Sequence, residues 1–255
     1  MITCNIIGAG NVANHLYKTF KKSDGIQINQ WYARNASKIE LFKTEVEIIT
    51  DINNLRPADV TILAVNDDVI NEVSQSIPFE NHLVVHTSGA AVIYDLDKKH
   101  KRGVFYPLQT FTAGADLNFE DVPICLEVIH KSNLPVLTEL ANCIGSPNYR
   151  VNPDQRKVLH LAAVFVNNFT NQLYRLGHEI TESEGVEFEI LKPLITETAN
   201  KIASMSPYMA QTGPAVRNDK KTIKKHLKLL NSEHHKEVYN LLTKSIKKTH
   251  GFKKL

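Results

Sequence analysis

The sequence predicts a doubly wound α/β domain followed by an all-helical one. Three observations carry this prediction. Short apolar runs alternate with helical patterns through the first 150 residues. A glycine-rich turn joins the first apolar run to the first helical pattern. Beyond Pro153 the strand pattern stops and only helical periodicity continues. The boundary is predicted near residue 150, giving a nucleotide-binding region over 1–150 and a helical substrate or dimerisation region over 151–255. A chain of 255 residues has room for two modest domains.

The elements are read in order. Ile2–Ile7 is a short buried strand, and a helix follows the glycine turn at once. Ile26–Ala33 is the second strand. A helix near 36–45 and a short strand at Val46–Ile49 come next. Asp59–Val65 is almost continuously apolar, as a strand covered on both faces should be. A helix over 68–77 leads to a fifth strand at His82–His86. Gly103–Pro107 and Ile124–Val128 are further strands, and 132–143 reads as a helix. From Pro153 to about Ser183 the pattern predicts one long helix. Pro153 suits a first helical position, and Asn152 or Asp154 is placed to cap it. Further helices are predicted at 187–204, 219–230 and 233–249, with breaks at Ser206-Pro207 and Thr212-Gly213-Pro214.

The turn is Gly8-Ala9-Gly10-Asn11-Val12-Ala13, the dinucleotide fingerprint in its Ala-ended form, set between a strand and a helix. Gly8 allows the tight turn. Gly10 lets a pyrophosphate approach the backbone, and Ala13 lets the helix pack closely on the strand. The helix start offers unpaired N–H groups and a positive dipole end. An acidic residue at the end of the second strand would favour NAD, and none is present. Arg34-Asn35-Ala36-Ser37 stands there instead. The Arg34 fork, with Asn35, Ser37 and Lys38 beside it, matches a 2′-phosphate, so the predicted cofactor is NADP. The plainer alternative makes Arg34 a solvated arginine and Asn35 or Ser37 a local cap.

Composition narrows the class. The chain is 42% hydrophobic and 22% charged, ordinary for a globular protein. No apolar run approaches a membrane span, so no membrane association is predicted. The N-terminus lacks a basic segment and a cleavage site, which predicts no signal peptide and a cytoplasmic location. Cys4, Cys125 and Cys143 lack metal-ligand spacing and are predicted to be free thiols, with no metal site. Lysines crowd the region after residue 215, but at helical spacing, with Ile223, Leu227 and Leu230 on another face. That is a solvated helix face, with attraction of an anionic ligand as the next reading and nucleic-acid binding not predicted.

Ligands of open α/β sheets bind beyond the carboxyl ends of the strands. Val65 and Asn66 leave the fourth strand there, and His86-Thr87-Ser88-Gly89 leaves the fifth. Val65, Asn66 and Ser88 are therefore predicted beside the cofactor. His86 is a candidate proton donor, its alternative being a strand-end histidine satisfied by backbone. Gln109 is a candidate substrate contact or a turn residue. On the long helix, spacings of four and seven put His160, Val164 and Asn167 on one face, with Asn168 beside it. His160, Asn167 and Asn168 are candidate catalytic groups able to polarise or protonate a substrate oxygen or nitrogen. The alternative for His160 is a histidine at a domain interface. Arg217, after Gly213-Pro214, is a candidate for a substrate carboxylate or an ordinary helix-start residue.

Three segments carry a family resemblance: Gly8–Ala13 with Ala33-Arg34-Asn35, His86–Ala90 with Pro107-Leu108-Gln109-Thr110-Phe111, and Thr212–Asp219 before a lysine-rich helix. Together they resemble the candidate NADP oxidoreductases that join a Rossmann-like domain to a helical domain of unknown function 2520. The first segment also resembles pyrroline-5-carboxylate reductase, ketopantoate reductase, the β-hydroxyacid dehydrogenases and deazaflavin-dependent NADP reductases. The resemblance implies a Rossmann domain, NADP binding and a homodimer formed through the helical domain. That family often carries His ahead of Pro-Leu-Gln. This chain carries Tyr106, so a histidine proton donor is not carried over to that position. The β-hydroxyacid dehydrogenases place Lys and Asn on the corresponding long helix, where this chain offers His160 with Asn167 or Asn168.

The predicted function is hydride transfer between NADP(H) and a small carbonyl or imine substrate in a cleft between the domains. A pyrroline-5-carboxylate-type imine reductase is the nearest alternative enzyme. A non-catalytic NADP-binding sensor is the alternative from another class.

Overall fold

A computed structural model describes residues 1–251. It resolves the chain into two compact units, Met1–Asn167 and Asn168–Leu255. The first unit therefore runs past the change in sequence pattern at 150 and takes in the opening turns of the long helix.

The first unit is built on one sheet. Its strands are β1 (Ile2–Ile7), β2 (Ile26–Tyr32), β3 (Glu47–Ile49), β4 (Val60–Leu63), β5 (Leu83–His86), β6 (Lys101–Pro107), β7 (Ile124–Val128) and β8 (Asn148–Arg150). They lie in the order β3-β2-β1-β4-β5-β6-β7-β8. The first six are parallel, β7 runs antiparallel to β6, and β8 runs parallel to β7. The order reverses at β1, so β1 and β4 leave a crevice at their carboxyl ends, the usual ligand position of such sheets.

Helices α1 (Asn11–Lys21), α2 (Ile70–Ser76) and α3 (Leu134–Asn142) cover the sheet. Neighbouring residues of each central strand enter different layers, as a period of two demands. Ile6, Ile62 and Val85 join Ala13, Leu16, Tyr17 and Phe20 of α1 and Leu137 and Leu140 of α3. Ile7, Leu63 and Val84 join Ile70 and Ile77 on the other face. Each large apolar side chain enclosed this way contributes about 1.5–3 kcal/mol. This double burial is why the strands read as apolar runs. Cys4 and Cys125 are buried, Cys143 is partly exposed, and all three are free thiols.

Three local expectations need correction. Residues 36–45 form two single 3₁₀ turns, Ala36–Lys38 and Glu40–Phe42, rather than a helix. The Asn35 side chain accepts from the Ser37 N–H, and Ile39 between the turns has φ −123° and ψ 0°. A short polar side chain bonding its own backbone competes with helix formation in this way. Strand β8 has no apolar pattern to announce it. The long helix is interrupted. α4 (Pro153–Ala163) passes into a π-helical stretch at Val164–Phe169 before α5 (Thr170–Ser183). Asn152 caps α4 through a reciprocal pair with Gln155.

The second unit holds α5, α6 (Lys192–Ser204), α7 (Pro207–Ala210), α8 (Lys220–Leu229) and α9 (Glu233–His250). Polar contacts tie its helices together, His235 to Glu179 at 3.0 Å and His226 to Tyr239 at 2.9 Å. Among the described residues of this unit, Leu176 and Ala215 are the buried apolar side chains. No described helix is long and apolar enough to cross a membrane.

Candidate functional site

The turn between β1 and α1 is held from behind. The Gly8 N–H donates to the Tyr32 carbonyl at 2.9 Å, and the Trp31 indole N–H donates to the Gly8 carbonyl at 2.6 Å. Gly8 has φ +120°, and a Cβ on it would lie 2.1 Å from the Ala64 carbonyl oxygen. Only glycine fits there. Gly10 differs. A Cβ on it would meet nothing within 4 Å, so its bare backbone faces open space rather than packed protein. Gly10 is the N-cap of α1, offers no side chain to the first turn, and is followed by no acidic residue in that turn. The leading N–H groups of α1 are therefore left for an anion. Ala13 is fully buried, as close helix–strand packing requires.

This turn forms one wall of a cavity of about 440 Å³. Gly8, Ala9 and Gly10 line it with Arg34, Asn35 and Lys38, and Val65 and Asn66 after β4 complete the lining. Arg34 is exposed, so its fork is free to swing onto a ligand. Ser37 is tied into the Asn35 turn rather than lining the cavity. Asn11 lines a smaller neighbouring cavity of about 260 Å³, and Val12 packs on the core. Open backbone at a helix start, with Arg and Lys beyond it, fits the phosphates of a dinucleotide.

A second cluster lies at the end of β5. His86 is fully buried, and its Nδ1 accepts the Ser88 N–H at 3.2 Å. Burial and then the nearby Arg156 charge push its imidazole down to about 3, against a backbone hydrogen bond at Val92 that works the other way. The ring is therefore neutral near pH 7. The Ser88 hydroxyl accepts from the N–H groups of Ala90 and Ala91 and shapes the following turn. Gly89 lies against two side chains. A Cβ there would come within 2.6 Å of both His160 Nδ1 and the Tyr106 ring. The Tyr106 hydroxyl lies 3.3 Å from His160 Nδ1, with the rings edge to face. Burial, reinforced by Cys125, pushes the Tyr106 phenol up to about 12, so it keeps its proton through the ordinary pH range. His160 is half-buried.

The other candidates are placed differently. The face argument for Asn167 and Asn168 assumed unbroken α-helix. Both sit in the π stretch, where the wider turn shifts the register, and both are exposed. Gln109 is exposed, and its side-chain oxygen accepts the Thr110 N–H, which is turn chemistry. Arg217 is exposed and belongs to the second unit.

Three residues of the cluster were not read as functional from sequence: Tyr106, Glu127 and Arg156. Arg156 is fully buried and pairs with Glu127 at 2.9 Å. A local signal for Arg156 existed. It lies four residues before His160, on the same helical stripe.

The family model described as NADP oxidoreductase, coenzyme F420-dependent, matches residues 3–89. The model described as domain of unknown function (DUF2520) matches residues 122–246. A solved Bacteroides fragilis structure, a candidate NADP oxidoreductase, is 35% identical with a TM-score of 0.86, covering 97% of this chain and 98% of that one. A Thermotoga maritima protein is 20% identical with a TM-score of 0.77 and the same coverage. A reductive aminase from Aspergillus terreus, solved with NADPH and ethyl levulinate, shares the fold at 11% identity. Its TM-score is 0.72, with 98% of this chain and 95% of that one covered. No curated protein matches significantly. The chain belongs to the NADP oxidoreductase family that carries the DUF2520 domain.

Proposed function

We propose that this protein uses NADP(H) to reduce a small carbonyl or imine compound. The observation that carries the reading is the 440 Å³ cavity, whose lining joins the bare Gly10 backbone to the basic side chains Arg34 and Lys38. A 2′-phosphate carries close to two negative charges. Arg34 meets it with a planar fork, while a carboxylate there would repel it. Gly8 to Ala13 hold the pyrophosphate, Arg34, Asn35 and Lys38 hold the phosphorylated ribose, and Val65, Asn66 and Ser88 border the nicotinamide half.

A bound nicotinamide supplies the hydride, and the protein must then supply a proton. We assign that proton to His160. The Tyr106 hydroxyl accepts from Nδ1–H, which the ring keeps both as imidazolium and after Nε2 has given up its proton. It thus holds the ring in both states while Nε2 passes its proton to the substrate oxygen or nitrogen. His86 is enclosed and neutral, so it serves as scaffold under Ser88 rather than as donor. A keto or imino acid is the favoured substrate class.

The test is calorimetric titration with NADPH and with NADH, on the parent and on Arg34→Ala. Losing a charge-assisted phosphate pair should weaken NADPH by about 1.5–3 kcal/mol and leave NADH nearly unchanged. A panel of keto acids and cyclic imines, followed by NADPH absorbance, then tests turnover. Tight NADPH binding with no turnover across the panel favours the sensor reading. Absence of binding to either nucleotide at millimolar concentration overturns both.

We also propose a homodimer through the helical region. The exposed apolar side chains include Val158, Leu161 and Val166 on the long helix, and Leu194 and Ile202 on α6. A helical unit with two buried apolar side chains among its described residues does not by itself offset the entropy of ordering its chain. A second copy of the same surface supplies the missing core.

A further inference from the structure

The guanidinium of Arg156 is fully buried, and it joins three parts of the first unit. Its Nε donates to Glu127 Oε2 at 2.9 Å, on β7. Its Nη1 donates to the carbonyls of Gly89 at 2.9 Å and Ser88 at 3.2 Å, beyond the end of β5. The third part is α4 itself. One helical turn further along α4 stands His160, against the Tyr106 hydroxyl. In the β6–β7 register Tyr106 is opposite Cys125, which puts Glu127, two residues on, on the same sheet face.

Energetics alone do not explain this pair. Desolvating two charges costs several kcal/mol per ion, and well-packed apolar residues often serve stability as well or better. Among the described residues, Arg156 Nη2 and Glu127 Oε1 are buried without hydrogen-bond partners, which raises the cost. What an apolar pair cannot do is hold two carbonyls from a helix. A planar fork with fixed donor directions can.

We infer that Arg156, anchored by Glu127, is the positioning residue of the site: it locks α4 onto the Ser88–Gly89 loop and so holds His160 against Tyr106. This rests on the reading of His160 as proton donor. Arg156 itself does not touch the reacting groups. Gly89 belongs to the same device, because any side chain there would occupy the space where His160 and Tyr106 meet.

The test is a cycle read by NMR titration of the His160 ring, with no substrate required. Tyr106→Phe is expected to shift the His160 titration midpoint in the parent protein. In the Arg156→Met/Glu127→Leu background, which keeps an apolar packed core, the same change is expected to have no effect. Arg156→Lys keeps the charge but loses the fork, and is expected to behave like the double variant. It also serves should the double variant fail to fold. NADPH should still bind both variants, since the glycine turn and Arg34 are untouched, and this shows that they remain folded. For any substrate the parent reduces, kcat should fall on the order of a hundredfold, the scale of a 1 Å misplacement. A Tyr106→Phe shift that persists undiminished in both backgrounds overturns the inference and leaves Arg156 a structural residue. A parent that reduces nothing, yet shows the coupling and its loss, overturns the enzymatic reading while the positioning role stands.

Discussion

At the residue scale, Gly8 and Gly10 show how one motif holds two kinds of constraint. Gly8 is required by the protein itself, through its positive φ and the Ala64 carbonyl behind it. Gly10 is required by nothing in the protein, and its open surroundings point to a ligand. Gly8→Ala should therefore destabilise the fold as well as abolish NADPH binding, seen as a lowered denaturant midpoint. Gly10→Ala should leave that midpoint almost unchanged and weaken NADPH in calorimetry. Equal destabilisation by both would contradict this division. His86 gives a pH prediction. Its folded pKa, about 3, lies below the ordinary 6.5, so protons bind the unfolded chain first. The stability it contributes is complete above about pH 6.5 and is lost progressively as pH falls toward 3. Urea unfolding across that window should show the decline, and His86→Gln should flatten it. An unchanged slope in the variant would assign the decline to other groups, His100 among them, whose pKa is also lowered by burial.

At the element scale, the strands and α1 were legible because each carries its signal within a few residues. Apolar runs marked β4 and β5, and the glycine turn marked the start of α1. The segment after β2 misled, because its apolar spacing suits a helix while Asn35 and Ile39 divert the backbone into 3₁₀ turns. The π stretch was invisible, since periodicity in sequence cannot tell a wide turn from an ordinary one. That stretch also removed the basis for setting Asn167 on the His160 face. Arg34 was legible as a cavity-lining residue because it follows its strand directly. Tyr106 and His160, 54 residues apart, were not legible as a pair, nor were Glu127 and Arg156, 29 apart. Such contacts follow from strand register and helix docking, which no local window contains.

At the scale of the whole molecule, the contrast between the two units is physical. The first encloses apolar layers on both faces of its sheet, and the second encloses almost none. Leu161 of the first unit, 59% exposed, and Leu194 of the second, 62% exposed, each leave apolar surface in water. Sedimentation should report a dimer, and Leu161→Glu with Leu194→Glu should dissociate it with loss of thermal stability. A parent that sediments as a monomer would end the dimer proposal. The sequence by itself determined the fold class, the glycine turn and the basic residue at the end of β2, because each depends on near neighbours in the chain. The tertiary structure alone decided which histidine is accessible, which is sealed and neutral, and that a buried arginine joins α4 to the loop after β5. Burial and charge pairing arise only when distant segments meet.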